Sequence, residues 1–337
     1  MRLAFAALPL LVAARAHALV WPDVPARLER ALEAPDVETR KAATAELTSV
    51  GARRATPLVL RALDDAEVEV RLGAAQAAIR LRVPGATDAA LPWLGERDPR
   101  LRVAACELAR SLPSPRAVAP LARALGDADA AVRGAAAEAL GAQGSNEAVP
   151  PLLGRLDDAS PTVRVLVVRS LARLGDGRAV VPLVGKVQDS APEMRQAVAR
   201  ALGDLGDPQA SPALILSLRD AVQDVRVEAI QALGRLRATD AVAALAPLCF
   251  DRMAAVRQAA VAALGRMATP EAVRALVAAL GTGDDANAEL EASPVRAALV
   301  AAGGAAVPAL HKVLTGAPSR GAALSAAWVL GQLKAQT

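Results

Sequence analysis

Residues 145–174 read SNEAVPPLLGRLDDASPTVRVLVVRSLARL and contain two apolar segments separated by a short polar turn. In each segment the apolar residues recur three and four positions apart, the spacing that places them on one face of an α-helix. The first segment contains Val149, Leu152, Leu153 and Leu156, and the second contains Val163, Val167, Val168, Leu171 and Leu174. The alternation typical of a β-strand is absent, so this stretch predicts a helical hairpin.

The same pattern recurs along the chain with a constant period of 31 residues, marked by one arginine in each second segment, at Arg40, Arg71, Arg102, Arg133, Arg164, Arg195, Arg226 and Arg257. A unit of this length cannot bury its apolar face alone, so its copies must stack on one another. The sequence therefore predicts an all-α fold, an α-solenoid of about ten helical hairpins, with less regular units at the C-terminal end.

Prolines mark the helix boundaries. A residue that can act as an N-cap precedes proline at Asp98-Pro99, Ser114-Pro115, Ser160-Pro161, Asp207-Pro208 and Thr269-Pro270. Such pairs are typical of helix starts. Pro120, Pro151 and Pro182 instead fall at one repeat position inside the first helix, where we expect each to remove a backbone hydrogen bond and kink the helix.

An acidic residue lies six positions before most of the repeated arginines, as Asp65, Glu96, Asp127, Asp158, Asp189, Asp220 and Asp251. A residue repeated at one position meets the same neighbour in every unit. We therefore expect these arginines to join consecutive hairpins and to bind the turn carbonyls; a row of anion or metal sites is the alternative. This predicted ladder comprises Arg71, Arg102, Arg133, Arg164, Arg195, Arg226 and Arg257, with Asp127, Asp158, Asp189 and Asp220.

These residues, together with the pairs Leu140-Gly141, Leu202-Gly203, Leu233-Gly234 and Leu264-Gly265, resemble the HEAT-like repeats, in particular the subfamily first named from phycobilin lyases. The resemblance covers about residues 22–335. It implies an α-solenoid whose function is that of an adaptor, a scaffold or, in a few members, an enzyme. The repeated His-Glu pairs of the HEAT-like di-iron hydroxylases are not found in this sequence.

Two regions depart from the repeat. Residues 1–18, MRLAFAALPLLVAARAHA, combine Arg2, a short apolar stretch and Ala16-His17-Ala18, which predicts a cleavable signal peptide and a protein that is periplasmic or secreted. Residues 19–337 are then predicted to form one solenoid with a loop insertion near residues 281–293. The insertion carries Asp284, Asp285, Glu289 and Glu291 and is a second candidate contact with a partner; a disordered surface loop is the alternative. We expect no integral membrane segment after cleavage.

Composition argues against nucleic-acid binding. The net charge of +4 falls to +2 when Arg2 and Arg15 leave with the signal peptide, and basic and acidic residues interleave. The chain has no tyrosine, and Phe250 is its only phenylalanine after residue 18, so stacking residues for bases are scarce.

Residues able to carry catalysis are also scarce. His311 is the only histidine after the signal peptide, and five repeats separate Cys106 from Cys249, too far for a disulfide. We therefore expect no catalytic residue, metal or cofactor, although an enzyme or enzyme accessory of the HEAT-like lyase or oxidoreductase type remains the alternative function that the resemblance implies.

A candidate partner site lies at the fifth position after each repeated arginine. This outward position reads Gln76, Glu107, Glu138, Arg169, Arg200 and Gln231, an acidic stretch followed by a basic one. Arg173, Arg235 and Arg266 add positive charge at a second outward position. We predict that a monomeric solenoid binds a protein or extended peptide along its concave side, as a scaffold or adaptor of the bacterial cell envelope; an ordinary solvated surface is the alternative. The predicted partner-binding residues are Glu107, Glu138, Arg169, Arg200, Arg173 and Arg235.

Overall fold

The computed structural model describes residues 24–280, 293–316 and 319–335, and every regular element in these ranges is helical. Twenty α-helices pair into ten hairpins within the described ranges, which confirms the predicted α-solenoid. The chain divides after Leu112 into two compact units, residues 1–112 and 113–337. The prediction of a single solenoid over residues 19–337 stays a prediction, and residues 1–18 lie outside the described part.

The first unit contains three hairpins. Their helices are α1 (Val24–Leu32) with α2 (Val37–Glu46), α3 (Ala52–Ala62) with α4 (Val68–Leu81), and α5 (Ala86–Ala90) with α6 (Pro99–Ser111). The core between them is mainly aliphatic but includes Trp93, and Leu47, Val59, Val70 and Leu101 are fully buried. Val59, Val70 and Leu101 lie on α3, α4 and α6, and Leu47 directly follows α2.

The second unit contains seven hairpins. The first five are α7 (Val118–Ala124) with α8 (Ala130–Gln143), α9 (Val149–Leu153) with α10 (Pro161–Leu174), α11 (Val180–Val184) with α12 (Pro192–Leu205), α13 (Ser211–Ser217) with α14 (Gln223–Leu236), and α15 (Val242–Leu245) with α16 (Ala254–Met267). The last two are α17 (Pro270–Ala279) with α18 (Pro294–Ala301), and α19 (Val307–Gly316) with α20 (Arg320–Ala335). Most of the predicted insertion, residues 281–292, lies outside the described ranges.

Within the described ranges the first helices of six hairpins begin with a turn of 3-10 helix, at Pro115–Ala117, Asn146–Ala148, Gly177–Ala179, Pro208–Ala210, Thr239–Ala241 and Gly303–Ala306. An α-helix follows each turn, so Pro120, Pro151 and Pro182 are the third residues of α7, α9 and α11. In the first turn of an α-helix the backbone N–H has no intrahelical acceptor, so proline leaves no α-helical bond unmade. The prediction of a kink inside a longer first helix is therefore wrong in position, because the change of geometry precedes the proline.

Consecutive second helices of the second unit pack directly on one another, in the order α8, α10, α12, α14 and α16. Gly203 on α12 lies where α14 comes closest. A β-carbon at this position would lie 2.7 Å from the β-carbon of Ala232 and 2.8 Å from its α-carbon. The leucine before this glycine, Leu202, is fully buried. The repeated Leu-Gly pair thus combines a core residue with a close approach of two helix backbones.

Candidate partner-binding surface

Most ladder arginines reach two hairpins, as Arg133 on α8 illustrates. Its Nε and Nη2 atoms donate to the two carboxylate oxygens of Asp158, at 2.7 and 2.8 Å, in the next hairpin. Its Nη1 atom donates to the carbonyl oxygens of Asp127 and Ala128 in its own inter-helix turn, both at 3.0 Å. One guanidinium thus joins two hairpins and satisfies two turn carbonyls.

The same contact to an acidic residue 25 positions later recurs in both units. In the first unit Arg40 donates to Asp65 at 2.8 Å and Arg71 to Glu96 at 2.9 Å. In the second unit Arg164 donates to Asp189 at 3.2 Å and Arg195 to Asp220 at 2.6 Å. The carbonyl contact six positions earlier is also made by Arg102, Arg164, Arg195, Arg226 and Arg257.

Arg226 departs from this pattern, because it keeps its contacts with the turn carbonyls of Asp220 and Ala221, at 2.8 and 3.3 Å, but makes no ion pair with Asp251 in the described part of the chain. Asp251 still accepts a hydrogen bond from the backbone N–H of Met253 at 2.8 Å. Nothing in the structure explains why this ion pair is missing.

The ladder aspartates also fix the start of the second helix. Asp158 accepts a hydrogen bond from the backbone N–H of Ser160 at 2.9 Å, and Asp127, Asp189 and Asp220 bind the N–H two residues later in the same way. The hydroxyl of Ser160 makes no capping bond, whereas Asp98, Ser114, Asp207 and Thr269 do cap as predicted. The hydrogen bonds from Arg133 lower the pKa of Asp158, and burial of the carboxyl opposes this effect. With the further hydrogen bond from the Ser160 N–H, the pKa of Asp158 lies below its ordinary value.

The six predicted partner-binding residues are all exposed on second helices. Glu107 lies on α6 in the first unit. The other five lie in the second unit, with Glu138 on α8, Arg169 and Arg173 on α10, Arg200 on α12 and Arg235 on α14. Their role in binding stays a prediction.

Five charged residues of α10 and α12 line an open groove of about 370 Å³ in the second unit, which we call the α10/α12 groove. Arg169 and Arg173 line one side, and Arg200 and Asp204 line the other. Glu193, two residues before the ladder residue Arg195, also lines the groove at the N-terminal end of α12. The groove walls between these charges are small, with Ala172 and Ala197 among them.

Glu228 on α14 is a charged residue that the pattern analysis missed. Its side chain is only 4% exposed and accepts hydrogen bonds from Nη2 of Arg200 at 2.7 Å and from Nη2 of Arg235 at 3.2 Å. Its repeat position is occupied elsewhere by small or apolar residues, namely Ala42, Gly73, Ala104, Ala135, Leu166, Ala197 and Ala259. A glutamate at a core position is the signal that could have found it, since buried acids require partners.

Burial opposes ionisation of Glu228, but the hydrogen bonds from Arg200 and Arg235 outweigh it and hold the pKa of its carboxyl below the ordinary value. Glu228 is therefore an anion in the folded protein at neutral pH. It fixes the guanidinium groups of two neighbouring helices, and Arg235 makes a further ion pair with Asp204 at 3.4 Å.

These ion pairs reduce the number of unpaired arginines in the basic stretch that the sequence predicted. Arg200 and Arg235 already share Glu228, so part of their positive charge is neutralised within the protein. Arg169 and Arg173, one helical turn apart on α10, have neither an ion pair nor a side-chain hydrogen bond within the described ranges. The unneutralised positive charge of the groove is thus concentrated on α10.

The remaining candidate residues are placed without forming a second site. Cys106 and Cys249 are both buried thiols, and burial raises the pKa of the Cys249 thiol to about 11. His311 is exposed on α19. Among the described residues, no group of three or more His, Cys, Asp and Glu side chains is arranged to hold a metal ion.

A helix needs sufficient length and apolar content to cross a bilayer. No single helix of the described ranges is both long and apolar enough, and Pro294–Ala301 with Gly303–Gly316, bent by 114°, meets the two requirements only as a pair.

Comparison with solved structures gives the same architecture. Kap95p, solved with RanGDP, superposes with a TM-score of 0.64 at 13% identity, over 93% of this chain and 51% of Kap95p. YibA of Escherichia coli gives a TM-score of 0.56 at 16% identity, over 80% of this chain and 98% of YibA. The CpcE–CpcF phycocyanin lyase of Nostoc sp. gives only 0.43 at 23% identity, over 74% of this chain and 94% of that chain, a score too low to support a shared architecture. Identities this low show the fold alone.

Sequence comparison identifies the repeat itself. No curated protein sequence matches the chain. The family model of HEAT repeats matches residues 87–162, 149–223 and 211–302, which together span residues 87–302 without a gap. The chain belongs to the HEAT repeat family.

Proposed function

We propose that this protein is a non-enzymatic interaction scaffold that binds an acidic, extended segment of a partner protein across the second helices of residues 113–337. HEAT repeats in general bind proteins, and the family supports this class of function. The observation that carries the proposal is the pair of exposed arginines, Arg169 and Arg173, which no side chain of the described ranges neutralises.

The chemistry of the groove favours a carboxylate-bearing partner. Two guanidinium groups at successive turns of one helix provide donors in a fixed geometry that suits carboxylates. The small residues between them, such as Ala172, leave room for a peptide backbone to approach. The signal-peptide prediction supports a location in the bacterial cell envelope as part of the same proposal, with a monomer as the working form. The lyase or oxidoreductase alternative has only the family resemblance in its support.

The test is direct binding of a labelled twelve-residue peptide rich in Asp and Glu, measured by fluorescence anisotropy at low ionic strength. We expect the double variant Arg169→Glu/Arg173→Glu to bind it about 5- to 30-fold more weakly, since each exposed pair is worth up to about 1 kcal/mol. The matched control is Arg123→Glu/Arg219→Glu, which makes the same charge change at two exposed arginines outside the groove. An equal loss in both double variants would indicate a bulk charge effect and contradict the proposed site.

A further inference from the structure

Two neighbouring second helices present opposite and unneutralised charges at the same repeat position. Glu138 on α8 and Arg169 on α10 are 31 residues apart in sequence, and both are exposed. The two helices pack directly on each other. Neither side chain has an ion pair or a hydrogen bond within the described part of the chain, so the two charges do not neutralise each other.

The helix spacing sets a distance between these charges. Packed helices have axes about 8–10 Å apart, so equivalent positions on α8 and α10 lie about one such step apart. An extended chain that crosses the helices advances about 3.3 Å per residue, so about three residues span one step.

We infer that the partner segment is extended and carries one basic and one acidic side chain three residues apart. The basic side chain pairs with Glu138, and the acidic side chain pairs with Arg169 and Arg173. This inference rests on the proposed function, because it keeps the acidic side chain at Arg169 and Arg173 and adds a basic side chain of the same segment at Glu138.

Charged residues on α12 and α14 are already paired, so we expect the segment to be recognised by α8 and α10 alone. Continued along the array, the segment would next meet Arg200, whose Nη2 atom already donates to Glu228 at 2.7 Å. Asp204 and Arg235 on the same side are paired with each other at 3.4 Å. The helices beyond α10 therefore present less unpaired charge to the segment. Glu138 on α8 and Arg169 on α10 then contribute most to the choice of partner.

The test is a set of ten-residue peptides of equal composition, each with one lysine and one glutamate in a Ser/Thr/Val background. The charges are adjacent, three residues apart, or seven residues apart, each in both sequence orders. Seven residues of an α-helix also span about 10 Å, so the last spacing reports a helical partner. Anisotropy should show binding about three- to tenfold tighter for the three-residue spacing, as two exposed pairs are gained together.

Charge complementation provides the second measurement. Glu138→Arg should shift the preference to a peptide with two glutamates three residues apart, because the substituted side chain repels the peptide lysine that Glu138 attracts. Arg169→Glu/Arg173→Glu should shift it to two lysines at the same spacing. The variant Arg123→Glu/Arg219→Glu should keep the preference of the original protein, and circular dichroism should show that all variants keep their helical content.

The outcomes separate the two proposals. Binding of acidic peptides that depends on Arg169 and Arg173 but is indifferent to charge spacing would overturn the three-residue register and leave the scaffold proposal standing. A preference for the seven-residue spacing would overturn the extended conformation of the partner. If none of these peptides binds the original protein but the peptide rich in Asp and Glu does, only the register is overturned. If neither kind of peptide binds, both the register and the proposed acidic segment are overturned.

Discussion

Removing one ladder arginine should destabilise the solenoid far more than removing an exposed arginine. Arg133→Ala deletes two hydrogen bonds to Asp158 and two to the turn carbonyls of Asp127 and Ala128. It leaves the Asp158 side chain, only 3% exposed, with the Ser160 N–H as its remaining donor. Removing one partner of a buried ion pair costs about 3–5 kcal/mol. Because the Arg133 side chain is 13% exposed and water can reach the edge of the pair, we expect about 3 kcal/mol.

Urea unfolding followed by circular dichroism measures this loss, and hydrogen exchange of α8 and α10 locates it. The matched control is Arg123→Ala, an exposed arginine on α7, which we expect to change stability by less than about 0.5 kcal/mol. The double variant Arg133→Ala/Asp158→Ala should recover about 1–2 kcal/mol relative to Arg133→Ala, because it leaves no buried carboxylate without its cation. A loss below about 1 kcal/mol for Arg133→Ala, or equal losses for Arg133→Ala and Arg123→Ala, would refute the reasoning.

Three further changes test the packing and the buried ion pairs. Leu171→Ala, at a fully buried position of α10, should lower the free energy of unfolding in urea by about 2–5 kcal/mol. Leu216→Ala, at a site 59% exposed, should lower it by less than about 1 kcal/mol, and similar losses in both variants would contradict the helical phase. Gly203→Ala should cost about 1–3 kcal/mol, because its β-carbon would lie 2.7 Å from that of Ala232, and a neutral effect would show that α12 and α14 separate freely. The pKa of Glu228 is lowered on folding from its ordinary 4.5, so the stabilisation its anion provides is complete above that pH and is lost as the pH falls through the folded value. Unfolding between pH 7 and pH 3 should therefore show a smaller fall in stability for Glu228→Gln than for the original protein; parallel curves would contradict the ionised state assigned to Glu228.

The repeat period was enough to predict the hairpins and the kind of contact that most ladder arginines make, although Arg226 does not pair with Asp251 in the described part of the chain. A constant spacing means that one packing geometry recurs, so Arg133 meeting Asp158 follows from the same rule as Arg195 meeting Asp220. Local rules also predicted most helix starts. The geometry of the first helices was not predicted, because the choice between a 3-10 turn and an α-helix before Pro120 depends on packing as well as on proline chemistry.

The candidate site could be predicted only in part. The outward positions of Arg169 and Arg200 follow from the helical period, and both side chains are exposed. The sequence pattern did not separate the two arginines, although Arg200 is held by Glu228 and Arg169 has no partner in the described ranges. That difference depends on the approach of α12 to α14, which a single repeat does not contain. Comparison of this repeat position in all units would have identified Glu228, because the equivalent residues are small or apolar.

The measurement that tests the central claim most directly is site-specific photo-crosslinking in an extract of the source cells. A benzoylphenylalanine replacing Ala172, which lies between Arg169 and Arg173 in the α10/α12 groove, should crosslink a partner protein. Excess acidic peptide should abolish the crosslink, and the same probe replacing Arg123 on α7 should not give it. A partner that crosslinks equally from both positions, or that the acidic peptide does not displace, would contradict binding at this surface.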